Sequence, residues 1–166
     1  MHLSAKASFD ASPERVAAMF ADPGFVEAKV RASGAVTQTA DVVGTAEGPF
    51  TVTTRRQMPT TDVPAQFRAL VGGTLEVREV QAWQAPSADL SARQGTIVVE
   101  VTGAPVRLTG TIRMTATAAS TTSLVLEGDL KASVPFFGSA IEQAIAEAMR
   151  GAIRAEERAG AEWLAR

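Results

Sequence analysis

The 166-residue chain contains no cysteine, no tyrosine and no asparagine, and a single histidine, His2. Without cysteine there is no disulfide, no thiolate metal site and no thiol nucleophile. With one histidine, most remaining metal-binding and general-base schemes go as well, so no catalytic residue, metal site or cofactor is expected. The missing asparagine leaves no N-glycosylation acceptor. Neither sign of charge is in excess: Lys plus Arg total 16 and Asp plus Glu 18, a net −2. That balance gives no basic footprint for nucleic acid or an anionic membrane. No run of about 18 apolar residues occurs, and the first residues alternate instead of forming a basic and then apolar leader. The expectation is a soluble, cytoplasmic protein with no integral membrane association. Aromatics are also scarce, 5% against a hydrophobic fraction of 46%, so alanine and valine supply most of the packing and the packing units are small.

The length suits one domain over residues 1–166, because a chain of this size buries roughly 70% of its unfolded surface. The stretch from Phe136 to Arg166 organises it. At 100° per residue, Ile141, Ile145, Met149, Ala152, Ala159, Gly160 and Trp163 fall on one arc with Ile153 at its edge, and Arg150, Arg154, Arg158, Glu147, Gln143 and Glu157 fall opposite. This is an amphipathic helix with a solvated ridge of i,i+3 and i,i+4 charge pairs. Pro135 stops the strand before it, and Ser139 with Glu142 has capping-box spacing. Such a helix needs a broad apolar surface to lie on.

The rest of the chain reads as that surface. Leu3, Ala5, Ala7 and Phe9 alternate with His2, Ser4, Lys6 and Ser8, the period of a half-buried strand. Ser12-Pro13 starts a short helix with Val16, Met19 and Phe20 inside; after Asp22-Pro23-Gly24 a second carries Phe25, Val26 and Val30 and stops near Ser33-Gly34. Six strands follow, at roughly 35–44, 48–58, 74–85, 95–103, 106–118 and 122–134. The alternation of the first two is mixed, which leaves their facing open. Gly103-Ala104-Pro105 and Ala119-Ser120-Thr121 are short connections that make antiparallel hairpins. Between the second and third strands a helical piece, Ala65 to Val71, ends at Gly72-Gly73, a helix stop without the context of a phosphate loop.

Strand, two short helices, six strands and a long helix is an α+β order, β-α-α-β6-α, that resembles the START-like or SRPBCC superfamily over the whole chain. More narrowly, the chain is similar to a family of actinobacterial START-like proteins with no established activity, a domain of unknown function. The matching stretches are Val63-Pro64, Gly72 to Leu75, Trp83, Gly103-Ala104-Pro105-Val106 with Gly110, Glu127-Gly128, Val134-Pro135 with Gly138, Ile141-Glu142, Glu156 and Trp163-Leu164. The resemblance implies a helix-grip fold, a curved antiparallel sheet around the long C-terminal helix, and a tendency to hold a ligand. Superfamily members bind lipids, sterols, polyketides, quinones or hormones, and a minority are cyclases or hydrolases.

A helix arc rich in Ala148, Ala152, Ala159 and Gly160 leaves room beneath it, and the expected occupant is a hydrophobic small molecule. The walls would be Trp83, Ile97, Val99, Val101, Leu108, Ile112, Met114, Leu124, Leu126, Ile145, Met149 and Ala152, with Glu156. The competing account is that these are core residues and small side chains bring helix and sheet together until no space remains. Glu156 projects between Ala152 and Ala159 on the apolar strip, where an unpaired carboxylate would be costly. Three accounts stand: pairing with an inward arginine, Arg55 or Arg56; a wet cavity mouth; or exposure near the helix end. Glu79 and Gln81 share a strand side with Trp83 unless a bulge turns Val80 and Ala82 inward. Carboxylates at Glu79 and Glu156 would suit acid–base work if they met, the basis of a cyclase or hydrolase alternative. A protein-interaction module is the third class, and the oligomeric state is open.

Overall fold

In the computed structural model the opening alternation becomes β1 (His2–Phe9), which turns Leu3, Ala7 and Phe9 inward and its polar residues outward. The structure describes residues 1–61, 63–118 and 120–166, and of Leu70 only the backbone. Ala119, in one of the two expected hairpin connections, lies outside the described residues. Ser12 accepts from the Arg15 N–H and Pro13 occupies the first turn of α1 (Pro13–Phe20). Asp22 Oδ1 accepts from the Phe25 N–H at 2.8 Å and starts α2 (Pro23–Ala32). These caps satisfy backbone donors that a helix start leaves open.

The remaining strands are β2 (Thr37–Gly44), β3 (Phe50–Pro59), β4 (Thr74–Trp83), β5 (Ala92–Val101), β6 (Val106–Ala118) and β7 (Thr121–Ala132), with α3 (Ala65–Val71) between β3 and β4. They form one antiparallel sheet in the order β1-β7-β6-β5-β4-β3-β2. Because β1 and β2 are opposite edges, the chain between them must cross the sheet, and α1 and α2 make that crossing on its concave side. On β3, Phe50, Val52 and Thr54 are buried, which gives the facing that mixed alternation left open. Gly110 and Gly128 face each other across β6 and β7. A Cβ on Gly110 would lie 2.7 Å from Gly128 Cα, and one on Gly128 would lie 2.7 Å from the Thr109 carbonyl oxygen. Only glycine permits this approach.

The long helix α4 (Gly138–Leu164) packs on α2, β1 and β7. Its fully buried residues are Ala146, Ala155, Glu156 and Gly160, while Ile141, Ile145, Met149, Ile153, Ala159 and Trp163 are half-buried. The contact arc is therefore rotated from the expected one towards α2, and Ala148 is exposed instead of facing the sheet. At Gly160 an added Cβ would come within 2.5 Å of the Phe9 ring, so glycine sets how closely α4 lies on β1. The capping box does not form. Phe137 is the N-cap residue and contributes no side-chain bond. Glu142 reaches instead to the Ala132 N–H at 3.0 Å and the terminal ammonium at 3.2 Å, tying α4 to β7 and to the chain start.

Most of the few aromatic residues gather at one end. Phe20 meets Phe9, Phe25 and Trp83 edge-on with ring centroids 5.9, 5.5 and 6.0 Å away, and Phe50 stacks on Trp83 at 6.1 Å. Aromatic pairs of this kind add about 0.5–1.5 kcal/mol each beyond their area. Arg93 covers this plug, lying over the Phe50 ring and donating to the Ala46 and Gly48 carbonyls in the β2–β3 turn. The other end of the concave face, towards α3, is lined differently. There Leu75, Val77 and Val101 on the strands and Ile141, Ile145 and Met149 on α4 are only half-buried.

Candidate site between the sheet and the long helix

Successive odd-numbered residues of β4 point the same way, and the β3–β4 and β4–β5 registers run without a shift, so Glu79, Gln81 and Trp83 all face inward. The bulge account is thereby excluded. From α2, Lys29 occupies the same helical stripe as Phe25, Val26 and Val30 and is driven inside with them. From α4, Glu156 comes down to meet it. Lys29 Nζ donates to Glu156 Oε2 at 2.7 Å and stands 3.8 Å from Glu79 Oε1, and both Lys29 and Glu156 are buried, at 6% and 7% exposure. Arg56 on β3 donates to Glu79 Oε2 through both terminal nitrogens, at 3.1 and 3.2 Å. Gln81 Nε2 donates to Glu79 Oε1 at 2.7 Å, and Trp83 Nε1 donates to Gln81 Oε1 at 3.2 Å. The Lys29 ammonium also lies 5.2 Å from the centre of the Phe20 ring.

The partner of Glu156 is therefore Lys29 and not an arginine. Arg55 points outward beside Glu76, and Arg56 is committed to Glu79. The signal for Lys29 was present in the sequence as a lysine in an apolar helical stripe.

The two carboxylates are electrostatically unequal. Burial raises the Glu79 carboxyl, but Arg56 and then Lys29 outweigh it and hold the group down to about 2. Burial raises Glu156 above the usual carboxylate range against the pull of Lys29. Burial would lower Lys29, yet Glu156 and Glu79 together raise it, so it stays cationic. The quartet of Lys29, Arg56, Glu79 and Glu156 sums to zero charge.

These polar groups form the floor of a cleft of about 50 Å³ beneath α4. That is room for a few water-sized groups. Of the wall residues expected from the sequence, Trp83, Ile112, Leu126, Met149, Ala152 and Glu156 line it, as do Ile97 and Leu124. Val99, Val101, Leu108, Met114 and Ile145 do not: Leu108 and Met114 are sealed in the core, Val99 is buried nearby, and Val101 and Ile145 sit at the more open end. Lys29, Val30, Ser33 and Ile153 are lining residues that sequence reasoning did not place there, and Arg56, considered only as a partner for Glu156, lines it as well. A larger cleft of about 210 Å³ lies outside the sheet, between α2 and the end of α4, with Ala28, Ala32, Ala155 and Ala159 along it. It is an open groove between two helices, and none of Lys29, Arg56, Glu79 and Glu156 lines it.

The family model described as Protein of unknown function (DUF2505) matches residues 4–164. The chain belongs to this family. Solved structures repeat the DUF2505 chain's architecture at low identity. A protein of Thermus thermophilus is 16% identical at TM-score 0.63, with 96% of this chain and 97% of that one covered. A START superfamily protein from Mycobacterium smegmatis is 12% identical at TM-score 0.59, with 98% of each chain covered. The Zhui aromatase/cyclase from Streptomyces sp. R1128 is 14% identical at TM-score 0.59, with 100% of this chain and 96% of that one covered. The fold is START-like: a seven-stranded antiparallel curved sheet closed by the long C-terminal helix. Comparison with curated proteins gave no match.

Proposed function

We propose that this DUF2505 protein binds and carries a hydrophobic small molecule, a lipid, a polyketide or a compound of similar character, between the concave face of the sheet and α4, without catalysis. The observation that carries the proposal is the half-burial of Leu75, Val77, Val101, Ile141, Ile145 and Met149, apolar side chains on the concave side of the strands and on α4 that the chain itself leaves incompletely covered. Apolar surface left open beside a buried polar floor is the pattern of a ligand site. The cleft of about 50 Å³ holds only one end of such a ligand. Loading therefore requires the first turns of α4 and the α3 segment to move apart. Among the described residues neither α3 nor α4 has a side-chain cap, and an edge-to-face contact at 5.1 Å between Phe67 and Phe137 joins them.

Catalysis by the carboxylates is less well supported. Glu79 is held by Arg56, Gln81 and Lys29, and Glu156 by Lys29, so neither stands ready as a free base. Native mass spectrometry of protein from its own host, before and after organic extraction, tests the proposal. A retained apolar mass and a thermal shift across a lipid and polyketide panel are expected. Protein that carries nothing and shifts with nothing would remove it.

A further inference from the structure

The floor of the cleft is unevenly satisfied, and the imbalance names a ligand chemistry. Glu79 has both oxygens occupied, by Gln81 and by Arg56. Glu156 uses one: Oε2 takes the Lys29 bond, and Oε1 has no hydrogen-bond partner among the described residues. Nor is Oε1 sealed away, because Gln38 Oε1 is the one enclosed side-chain atom without a partner among them. Glu156 Oε1 thus keeps access to the cleft it lines. Lys29 is in the same position. An ammonium has three N–H donors, one is spent on Glu156, and Glu79 Oε1 at 3.8 Å lies beyond hydrogen-bond distance. An unused acceptor and unused donors therefore stand side by side at the bottom of an apolar cleft.

Resting on the binding function proposed above, we infer that the ligand is an uncharged amphiphile ending in a hydroxyl, an alcohol or a phenol. The hydroxyl donates to Glu156 Oε1 and accepts from Lys29 Nζ. It is a group that does both from one atom, and its size suits the cleft. The charge count points the same way. Lys29 and Arg56 already balance Glu79 and Glu156, so a fatty-acid carboxylate would bring a third anion beside two others in a buried site. A ligand ammonium would compete with Lys29 for the same carboxylates. An ether accepts from Lys29 but leaves Oε1 unpaired.

The test is isothermal titration of the full chain with octan-1-ol, heptyl methyl ether and octanoate at neutral pH. Octan-1-ol should bind about tenfold to a hundredfold more tightly than either of the others, the worth of one hydrogen bond to a charged group. Glu156→Gln removes one negative charge and leaves Lys29 uncompensated, so octanoate should gain and the order of alcohol and acid should reverse. Octanoate binding the wild-type protein as tightly as octan-1-ol overturns the inference, whatever the variant does; if the variant does not fold, the wild-type order decides alone. If octan-1-ol fails to bind although extraction yields an apolar cargo without a hydroxyl, the hydroxyl inference falls and the carrier function stands. If there is no cargo and no probe binds, both fall.

Discussion

Lys29 of α2 and Glu156 of α4, 127 positions apart, meet at 2.7 Å where both helices face the sheet. The contact joins the crossing that links the two sheet edges to the helix that closes the fold. Taking both charges out of water costs several kcal/mol per ion, a cost that their mutual attraction opposes. Glu79 and Arg56 extend the pair into a network, so the consequences of removing one member are not those of removing two.

Lys29→Met leaves Glu156 buried beside Glu79 with no cation of its own, and should destabilise the protein by about 3–5 kcal/mol. Lys29→Met combined with Glu156→Met replaces the pair with apolar volume and should lose far less than the sum of the two single changes. Urea unfolding of the wild type, both single variants and the double variant gives the coupling energy. Additive losses would show that the two residues act separately.

The fold was legible in the sequence because each level of it agreed: strand periods, the cap at Ser12, the break at Asp22-Pro23-Gly24, and the amphipathic last helix all specify one arrangement. What remained hidden had particular causes. The capping box failed because Glu142 is drawn to the Ala132 N–H and the terminal ammonium, groups brought near only by the tertiary fold. The helix arc was misjudged because alanine is compatible with either side, and α2, packed against α4, turns Ala155 inward and leaves Ala148 out. Glu156 stood out as a charge on an apolar strip, yet its partner lay on a different helix far away in sequence. Lys29 carried the same signature on α2, and matching the two misplaced charges would have found the pair. The orientation of Glu79 and Gln81 depended on whether β4 bulges, a matter of backbone register that residue types do not encode.

The quartet also predicts an acid limb. The folded protein holds Glu79 down to about 2 from its ordinary 4.5. A depressed carboxyl contributes stability that is complete above its unfolded value and is lost as pH falls from 4.5 towards 2. The full contribution is about 3 kcal/mol, taking 1.36 kcal/mol per unit. Glu156 runs the other way: raised by burial, it opposes folding at neutral pH, and protonation relieves that cost as pH falls towards the ordinary carboxylate range. Stability should therefore hold or rise on mild acidification and drop below about pH 4.5. Urea midpoints from about pH 7 to about pH 2 measure the curve. Glu79→Gln should flatten the acid limb; an unchanged slope in that variant would assign the limb to other carboxylates.

The close approach of β6 and β7 rests on their facing glycines. Gly110→Ala sets a methyl against the Glu127 carbonyl and 2.7 Å from Gly128 Cα, backbone that cannot rotate away as a side chain would. The strands must separate, at a cost of about 1–3 kcal/mol or more. Gly73→Ala, where a Cβ meets nothing within 4 Å, is the matched control and should change stability little. Thermal midpoints of the two variants should differ by several degrees, since about 1 kcal/mol corresponds to roughly 2–4 °C at this size.

Phe136 stands at φ 66°, is 100% exposed, and lies just before the Phe67–Phe137 contact that joins α3 to α4. A phenylalanine in the left-handed region is strained by roughly 1–2 kcal/mol, and its ring gains nothing from burial here. Phe136→Gly removes the strain and adds unfolded-state entropy, with a net expected gain of up to about 1 kcal/mol. A protein that keeps an aromatic ring where glycine would be more stable has the ring available for something other than folding. On the carrier function proposed above, this exposed ring just before α4 would meet an apolar ligand on its way in. The variant should accordingly unfold at equal or higher urea concentration while taking up octan-1-ol more slowly in stopped-flow measurements. Lower stability in Phe136→Gly would show that the exposed ring is packed in solution, and unchanged uptake would take the entry path away from this end of the sheet.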